Sequence, residues 1–280
     1  MKKNLIYYGY ISDWKNIFDK NALMRYLDTI INDILLFETL SSLKSYLKNE
    51  GLKYKNYIFP VKIENIVELN KAGIKSLFEI DNQSIEKFND KKKFVDYVKE
   101  NNLSEYIPKC YSKINSSDAN DLVIIKPKVS YYSIGVYTKL LRNVRNDEFE
   151  ENLVQKYIYD PEEYAGYFTS YKGKITHGFA YVSNYGEGEF IKNQGGIWDE
   201  KPQARVDLDR HMKETIQKFL KPCSYTGLCS VDFKISNNNL YIFEINPRLG
   251  GSLNDKYNRL DFVKVILELM KIYDERNAYN

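Results

Sequence analysis

The sequence predicts an α/β protein: a doubly wound parallel sheet comes first, and a mixed α+β second half follows. Three observations carry that expectation. Up to about Asp90, short apolar runs alternate with stretches of helical spacing, the rhythm of β-α-β units. Beyond Asp90 the strand-like runs adjoin one another with turn residues between them, as in antiparallel hairpins. The chain has 280 residues, 43% of them hydrophobic, which is enough for one large domain or two to three smaller packed units.

The elements can be taken in order. NLIYYGYI (4–11) reads as the first strand, and SDWKNIF (12–18) opens a helix with Ser12 and Asp13 as candidate caps. ALMRYLDTIIND (22–33) is amphipathic, and ILLF (34–37) reads as the next strand. SLKSYLKNEG (42–51) is a helix that Gly51 stops, NYIFP (56–60) a strand, IENIVELNKAG (63–73) a helix that Gly73 stops, and KSLFEI (75–80) a further strand. DKKKFVDYVKENN (90–102) starts the second half as a helix. Strands then follow at DLVIIKPK (121–128), SIGVYTKL (133–140) and LVQKYIY (153–159). EYAGYFTSYKGKITHGFAYVS (163–183) is a hairpin turning at YKGK, and LDRHMKETIQKFLKPC (208–223) a helix. GLCSVDFKISNNNLYIFEIN (227–246) is a second hairpin, and DFVKVILELMKIY (261–273) the closing helix.

Composition narrows the function classes. Formal net charge is only +3, with basic residues dispersed among acids, so no nucleic-acid footprint is expected. The two lysines and short apolar run at the start fit a first strand better than a targeting segment, because Gly9, Ser12 and Asp13 interrupt it. No apolar stretch approaches the ~20 residues needed to span a bilayer, so no membrane partner is expected. The three cysteines, Cys110, Cys223 and Cys229, lack metal-ligand spacing and fit reduced thiols in a cytoplasmic compartment. Oligomeric state is not legible.

The chemistry concentrates in the second hairpin. If Asn237, Asn238 and Asn239 form a three-residue loop, Ser236 pairs with Leu240, and the ladder carries Asp232 opposite Glu244. A two-residue loop would put these acids on opposite faces. Facing carboxylates repel, so something positive belongs between them. Asn246 lies on the same face as Glu244. Two readings follow: a solvated edge neutralised by Lys234, also on that face, or a hard-cation site of two carboxylates and an amide oxygen, which suits Mg²⁺. Arg248 favours the second, because Pro247 and the glycines Gly250 and Gly251 hold it just past the strand end, where a guanidinium can grip phosphate or carboxylate.

VDFKISNNNLYIFEINPRLGGS (231–252) resembles the metal-binding end of the ATP-grasp superfamily, carboxylate–amine ligase type. The resemblance implies an ATP-grasp fold behind an N-terminal doubly wound parallel-sheet domain. It implies Asp232, Glu244 and Asn246 as Mg²⁺ ligands, with Mn²⁺ the alternative ion, and Arg248 as the residue that steadies the transferred phosphate. Upstream, IIKPKVSYYSIGVY resembles the family's phosphate-binding lysine and flexible loop, which implies Lys126 and backbone N–H groups near Ser133 and Gly135 as phosphate contacts. This loop departs from many relatives in having a single glycine and two tyrosines. NLVQKYIYDPEEYAGYF resembles the linker that holds adenine, implying Gln155, Lys156, Tyr157 and Ile158 around the base and Glu163 on the ribose. Relatives often carry Glu where Gln155 stands, and an amide oxygen can still accept from the adenine amino group. NDKKKFVDYVKENNLSEYIPK resembles the family's opening helix and implies Lys91 as a second phosphate-facing lysine. The likeness spans roughly residues 55 to 255. It divides the chain at 1–88 (N-terminal α/β), 89–158 (small subdomain with phosphate loop) and 159–280 (C-terminal subdomain with metal site).

The implied activity is ATP-dependent ligation: a small-molecule carboxylate becomes an acyl-phosphate and an amine displaces phosphate, with amino acids or peptides as substrates. Such chemistry needs positioning and cations more than acid–base pairs, which suits a chain with only two histidines. His177 and His211 read as structural or surface residues. NYGEGEFIKNQGGIWDEKPQAR (184–205) is either a substrate-facing loop, with Arg205 a candidate for a substrate carboxylate, or an ordinary surface loop. The competing class is a non-catalytic nucleotide-binding module, which would be expected to have lost an acid or the lysine. Carboxylase or kinase-like activities stand nearby within the superfamily, and an unrelated α/β protein would require the ordered motifs to be chance.

Overall fold

The computed structural model describes residues 2–9, 18–130, 133–186, 188, 190–191, 203–254 and 256–278. Its strands fall into three sheets that follow one another along the chain. The first is parallel, in the order β2-β1-β3, from β1 (Lys2–Tyr8), β2 (Asp33–Phe37) and β3 (Tyr54–Pro60). Helices α1 (Lys20–Leu27) and α2 (Leu40–Asn49) make the crossovers. Asp19 and Thr39 cap them by accepting the Ala22 and Ser42 N–H groups. Strand alternation then packs both faces: Leu5 and Tyr7 join α1 in the main core, while Ile6 and Tyr8 meet Leu43 of α2 and Leu69 of α3 (Ile63–Lys71). This is the doubly wound arrangement expected. The helix expected at 12–18 lies outside the described residues except for its last one.

Residues 75–80 do not form the expected strand. Leu77 N–H donates to Ile58 O and Glu79 N–H to Thr226 O, so the segment clasps two sheets by single bonds and extends neither ladder. Ser76 turns the chain there, its hydroxyl bonding both N–H and C=O of Phe78. An unforeseen helix α4 (Asn82–Asn89), capped by Asp81, follows, and Asp90 both ends it and caps α5 (Lys91–Glu100).

The second sheet is antiparallel, β4-β7-β5-β6, from β4 (Cys110–Tyr111), β5 (Leu122–Pro127), β6 (Tyr137–Leu140) and β7 (Asn152–Lys156), with α6 (Asn146–Glu151) leading into β7. The third, β10-β9-β8-β11-β12, comprises β8 (Glu162–Tyr171), β9 (Lys174–Asn184), β10 (Ala204–Val206), β11 (Gly227–Ser236) and β12 (Asn239–Asn246). Helices α7 (Arg210–Leu220) and α8 (Arg259–Asn277) pack on it. Among the described residues no helix is long and apolar enough to cross a membrane.

The β11–β12 hairpin corrects one expectation and keeps its consequence. Ser236 pairs with Asn239, so the loop has two residues, Asn237 and Asn238, both left-handed at φ 49° and 62°. That loop alone would send Asp232 and Glu244 to opposite faces. A β-bulge between Asp232/Phe233 and the facing strand leaves Phe243 as an extra residue, and Asp232 again lies opposite Glu244.

Candidate functional site

Alternation along the small sheet sorts its side chains. Val123, Ile125 and Val154 fill one face. Lys126, paired with Leu153, and Gln155, paired with Ile124 and Cys110, occupy the other. Lys126 is only 9% exposed, with its ammonium 4.9 Å from the centroid of the Phe243 ring that the bulge supplies. Burial pushes its pKa down to about 8; neighbouring Lys91 adds to the effect and Glu244 opposes it.

Lys91 is the first residue of α5, buried, with Nζ 3.4 Å from Glu244 Oε2 and 3.4 Å from Ser130 Oγ. Its neighbours go elsewhere: Lys92 donates to the carbonyls of Phe149 and Glu150, and Lys93 pairs with Glu86. Burial would raise the Glu244 pKa. Lys91 first, then the Asn246 amide, the facing Asp232 and Lys126 together outweigh it and hold the carboxyl below the usual carboxylate range. Asn246 Nδ2 donates to Glu244 Oε1 at 3.0 Å, and Arg248 Nη2 donates to Asn246 Oδ1 at 3.3 Å. A Cβ on Gly250 would lie 2.7 Å from the Tyr167 hydroxyl, so only glycine lets the chain after Arg248 seat there. Lys91, Lys126, Glu244, Asp232, Asn246 and Arg248 thus meet at one place. Lys234 does not neutralise the acid pair, as the solvated-edge reading required: its Nζ turns to the carbonyls of Asp160 (2.8 Å) and Ile158 (3.3 Å).

The linker after β7 presents backbone more than side chains. Lys156 points away, to Asp121 at 3.2 Å, and its N–H donates to Lys109 O. Tyr157 N–H goes to Leu122 O, while its hydroxyl accepts from Phe190 N (2.8 Å) and donates to Phe190 O (2.9 Å). Gln155 is 2% exposed and its Oε1 is buried without a partner among the described residues, while its Nε2 reaches Cys110 Sγ at 3.5 Å. Such an orphaned acceptor fits a ligand amino group. Glu163 lies two residues from Ala165, the cross-strand partner of Asp232, and so shares the acid pair's face.

In the expected phosphate loop Ser133 and Gly135 both have positive φ (56° and 76°), closing a turn with Val136 N–H on Ser133 O. Tyr131 and Tyr132 lie outside the described residues. So does most of the glycine-rich stretch, at 187, 189 and 192–202. Arg205 is engaged within the chain, by Asp207 at 2.8 Å and Asp261 at 3.1 Å. His177 is half-buried against Phe179, and burial lowers its pKa; His211 lies on α7.

Among the described residues no group of three or more His, Cys, Asp and Glu side chains gathers as a metal site. The donor set here is two carboxyls and one amide. Asp232 and Glu244 lie directly opposite each other across the ladder, where two carboxylates repel unless a proton or a cation stands between them. Two carboxylates and an amide suit a hard ion that keeps water and phosphate oxygens as its remaining ligands.

The chain is similar in fold to solved structures of other proteins. The solved structure of L-amino acid ligase from Bacillus licheniformis is similar at TM-score 0.59 and 12% identity, over 95% of this chain and 74% of that one. D-alanine–D-alanine ligase from Bacillus anthracis is similar at TM-score 0.59 and 16% identity, over 98% and 96%. N5-carboxyaminoimidazole synthase from Aspergillus clavatus gives TM-score 0.57 and 11% identity, over 95% and 77%. No curated protein matches the chain. Residues 88–252, more than half of the sequence, match the family model of the ATP-grasp domain, and the chain belongs to the ATP-grasp family.

Proposed function

We propose that the protein is an ATP- and Mg²⁺-dependent carboxylate–amine ligase that forms an amide or peptide bond through an acyl-phosphate. The observation that carries this reading is the convergence of Lys91, from the start of α5, on Glu244 of β12, beside Asp232, Asn246 and Arg248. These groups suit phosphoryl transfer, which needs fixed cations and positioning rather than an acid–base pair. Asp232, Glu244 and Asn246 would hold the metal, which supplies neutralising charge to the phosphates. Lys91 and Lys126 would grip the phosphates, with backbone N–H groups around Ser133 and Gly135, and Arg248 would steady the phosphoryl group in flight. The orphaned Gln155 Oε1 and the Ile158 N–H, which has no partner among the described residues, would take the base, with the Lys156 and Tyr157 backbone beside them; Glu163 would take the ribose hydroxyls. A substrate carboxylate oxygen attacks the terminal phosphorus and ADP leaves. The amine nitrogen then attacks the acyl carbon, phosphate leaves, and the amine proton is lost. Amino acids or peptides are the substrates that the likeness to amino-acid ligases favours.

Phosphate release should appear when Mg-ATP is supplied with a pool of amino acids and small acids, and should require both a carboxylate and an amine. Glu244→Gln keeps the acceptor for Asn246 but removes a metal charge, and should cost turnover by at least about 10–100-fold with folding intact. Tight ATP binding without release across a broad pool would favour a non-catalytic nucleotide module. Normal turnover in Glu244→Gln would remove the metal assignment.

A further inference from the structure

Lys234 is a buried lysine, 3% exposed, in the interior of β11. It lies two residues from Asp232 and so shares the acid pair's face. Burying an ammonium is costly unless its donors are used. Here two are used on successive parts of one segment, the carbonyls of Ile158 and Asp160. Two rings complete the surroundings: Phe190, with its centroid 4.3 Å from Nζ, and Tyr157 at 5.5 Å. Tyr157 and Phe190 are themselves joined by the two bonds of the Tyr157 hydroxyl. An apolar side chain could pack against the rings but could not hold the carbonyls. Lys234 therefore cross-links the strand that carries Asp232 to the linker segment from Ile158 to Asp160.

We propose that Lys234 is a positioning residue for recognition of the nucleotide base: by clamping the Ile158 and Asp160 carbonyls it fixes the linker backbone, and with it the N–H that meets the base. This rests on the reading above that the linker takes the base of ATP. On this geometry Lys234 acts on the base and not on the phosphates, which the Lys91, Lys126 and Arg248 cluster would hold.

The test compares two probes on the full chain by calorimetry, Mg-ATP and Mg-tripolyphosphate, which has the phosphates without the base. Wild type should prefer Mg-ATP. Lys234→Met should weaken Mg-ATP by about tenfold or more, as expected for lost charge-assisted bonds, and leave tripolyphosphate binding close to wild type. Lys234→Arg, which can reach the same carbonyls, should restore most of the ATP preference. If Lys234→Met fails to fold, Lys234→Gln carries the same comparison. An unchanged ATP preference in the variant, or equal loss for both probes, overturns the proposal while leaving the nucleotide reading standing. A wild type with no preference for ATP over tripolyphosphate overturns the nucleotide reading itself.

Discussion

At the scale of single residues, Lys126 gives the candidate site a testable pH dependence. Burial holds its pKa at about 8, below the ordinary lysine value of 10.5, so in the empty site the ammonium loses its proton as pH rises through about 8. A triphosphate favours the charged form. Binding above that pH must therefore take up a proton, and affinity should fall by up to about tenfold per pH unit. The affinity for Mg-tripolyphosphate, followed from about pH 7 to about pH 9.5, should fall across the upper part of that range, and Lys126→Arg should flatten the profile because a guanidinium keeps its charge there. A flat wild-type profile would mean that Lys126 either keeps its charge across this range or does not hold phosphate. The sequence made this lysine legible because it ends an apolar strand beside Pro127. It could not choose among Lys91, Lys92 and Lys93: only the helix start, where Asp90 accepts the Lys92 and Lys93 N–H groups, turns Lys91 inward to Glu244. Lys234 is visible as sharing the face of Asp232, but whether it serves the acid pair or the linker carbonyls depends on how the linker folds back over β11, a long-range matter.

At the scale of elements, the β11–β12 hairpin shows both what local pattern reveals and where it stops. Apolar alternation and the Asn run marked two strands and a tight turn. The loop length was ambiguous, because Asn tolerates left-handed φ in both two- and three-residue loops. A bulge leaves no local signature: Phe243 is simply one more aromatic in a strand, and its extra place becomes evident only from the pairing. The strand expected at 75–80 failed for the opposite reason. Its apolar residues are buried as a strand's would be, with Leu77 and Phe78 both in the core, but its pairing stops at single bonds to Ile58 and Thr226 and no ladder continues from them. The loop itself carries a prediction. Both of its residues are left-handed, so Asn238→Val places a β-branched side chain where L-residues pay about 1–2 kcal/mol, and denaturant unfolding should show a loss of that order. Asn238→Gly should show no such loss. If Val is tolerated as well as Gly, the turn does not have this two-residue geometry, and the bulge that restores the Asp232–Glu244 pairing is unnecessary.

At the scale of the whole molecule, α8 is the wall shared by the first and third sheets. A helix turns about 100° per residue, so neighbouring side chains serve different partners. Asp261 accepts from Tyr181 of β9 (2.9 Å) and Arg205 of β10 (3.1 Å). Phe262, beside it, enters the aromatic cluster of the parallel sheet, with ring centroids 5.8 Å from Phe59, 6.1 Å from Phe18 and 6.2 Å from Tyr7. At the far end Asp274 accepts from the Tyr57 hydroxyl at 2.9 Å and pairs with Lys55, and Arg276 donates to Ser76 O. One buried cluster consequently runs from Leu5 through Phe262 to Val231, on the strand that carries Asp232. A core shared in this way should make the two sheets unfold together, although they are distant in sequence. Phe262→Ala empties the centre of the junction and should cost about 3–5 kcal/mol. Its thermal unfolding should remain a single transition, lower than wild type, whether followed by far-UV circular dichroism or by protection of β1 and β11 amides from exchange. If β1 amides lose protection while β11 amides keep theirs, α8 covers the two sheets without coupling them, and the acid pair on β11 would then be held independently of the parallel sheet.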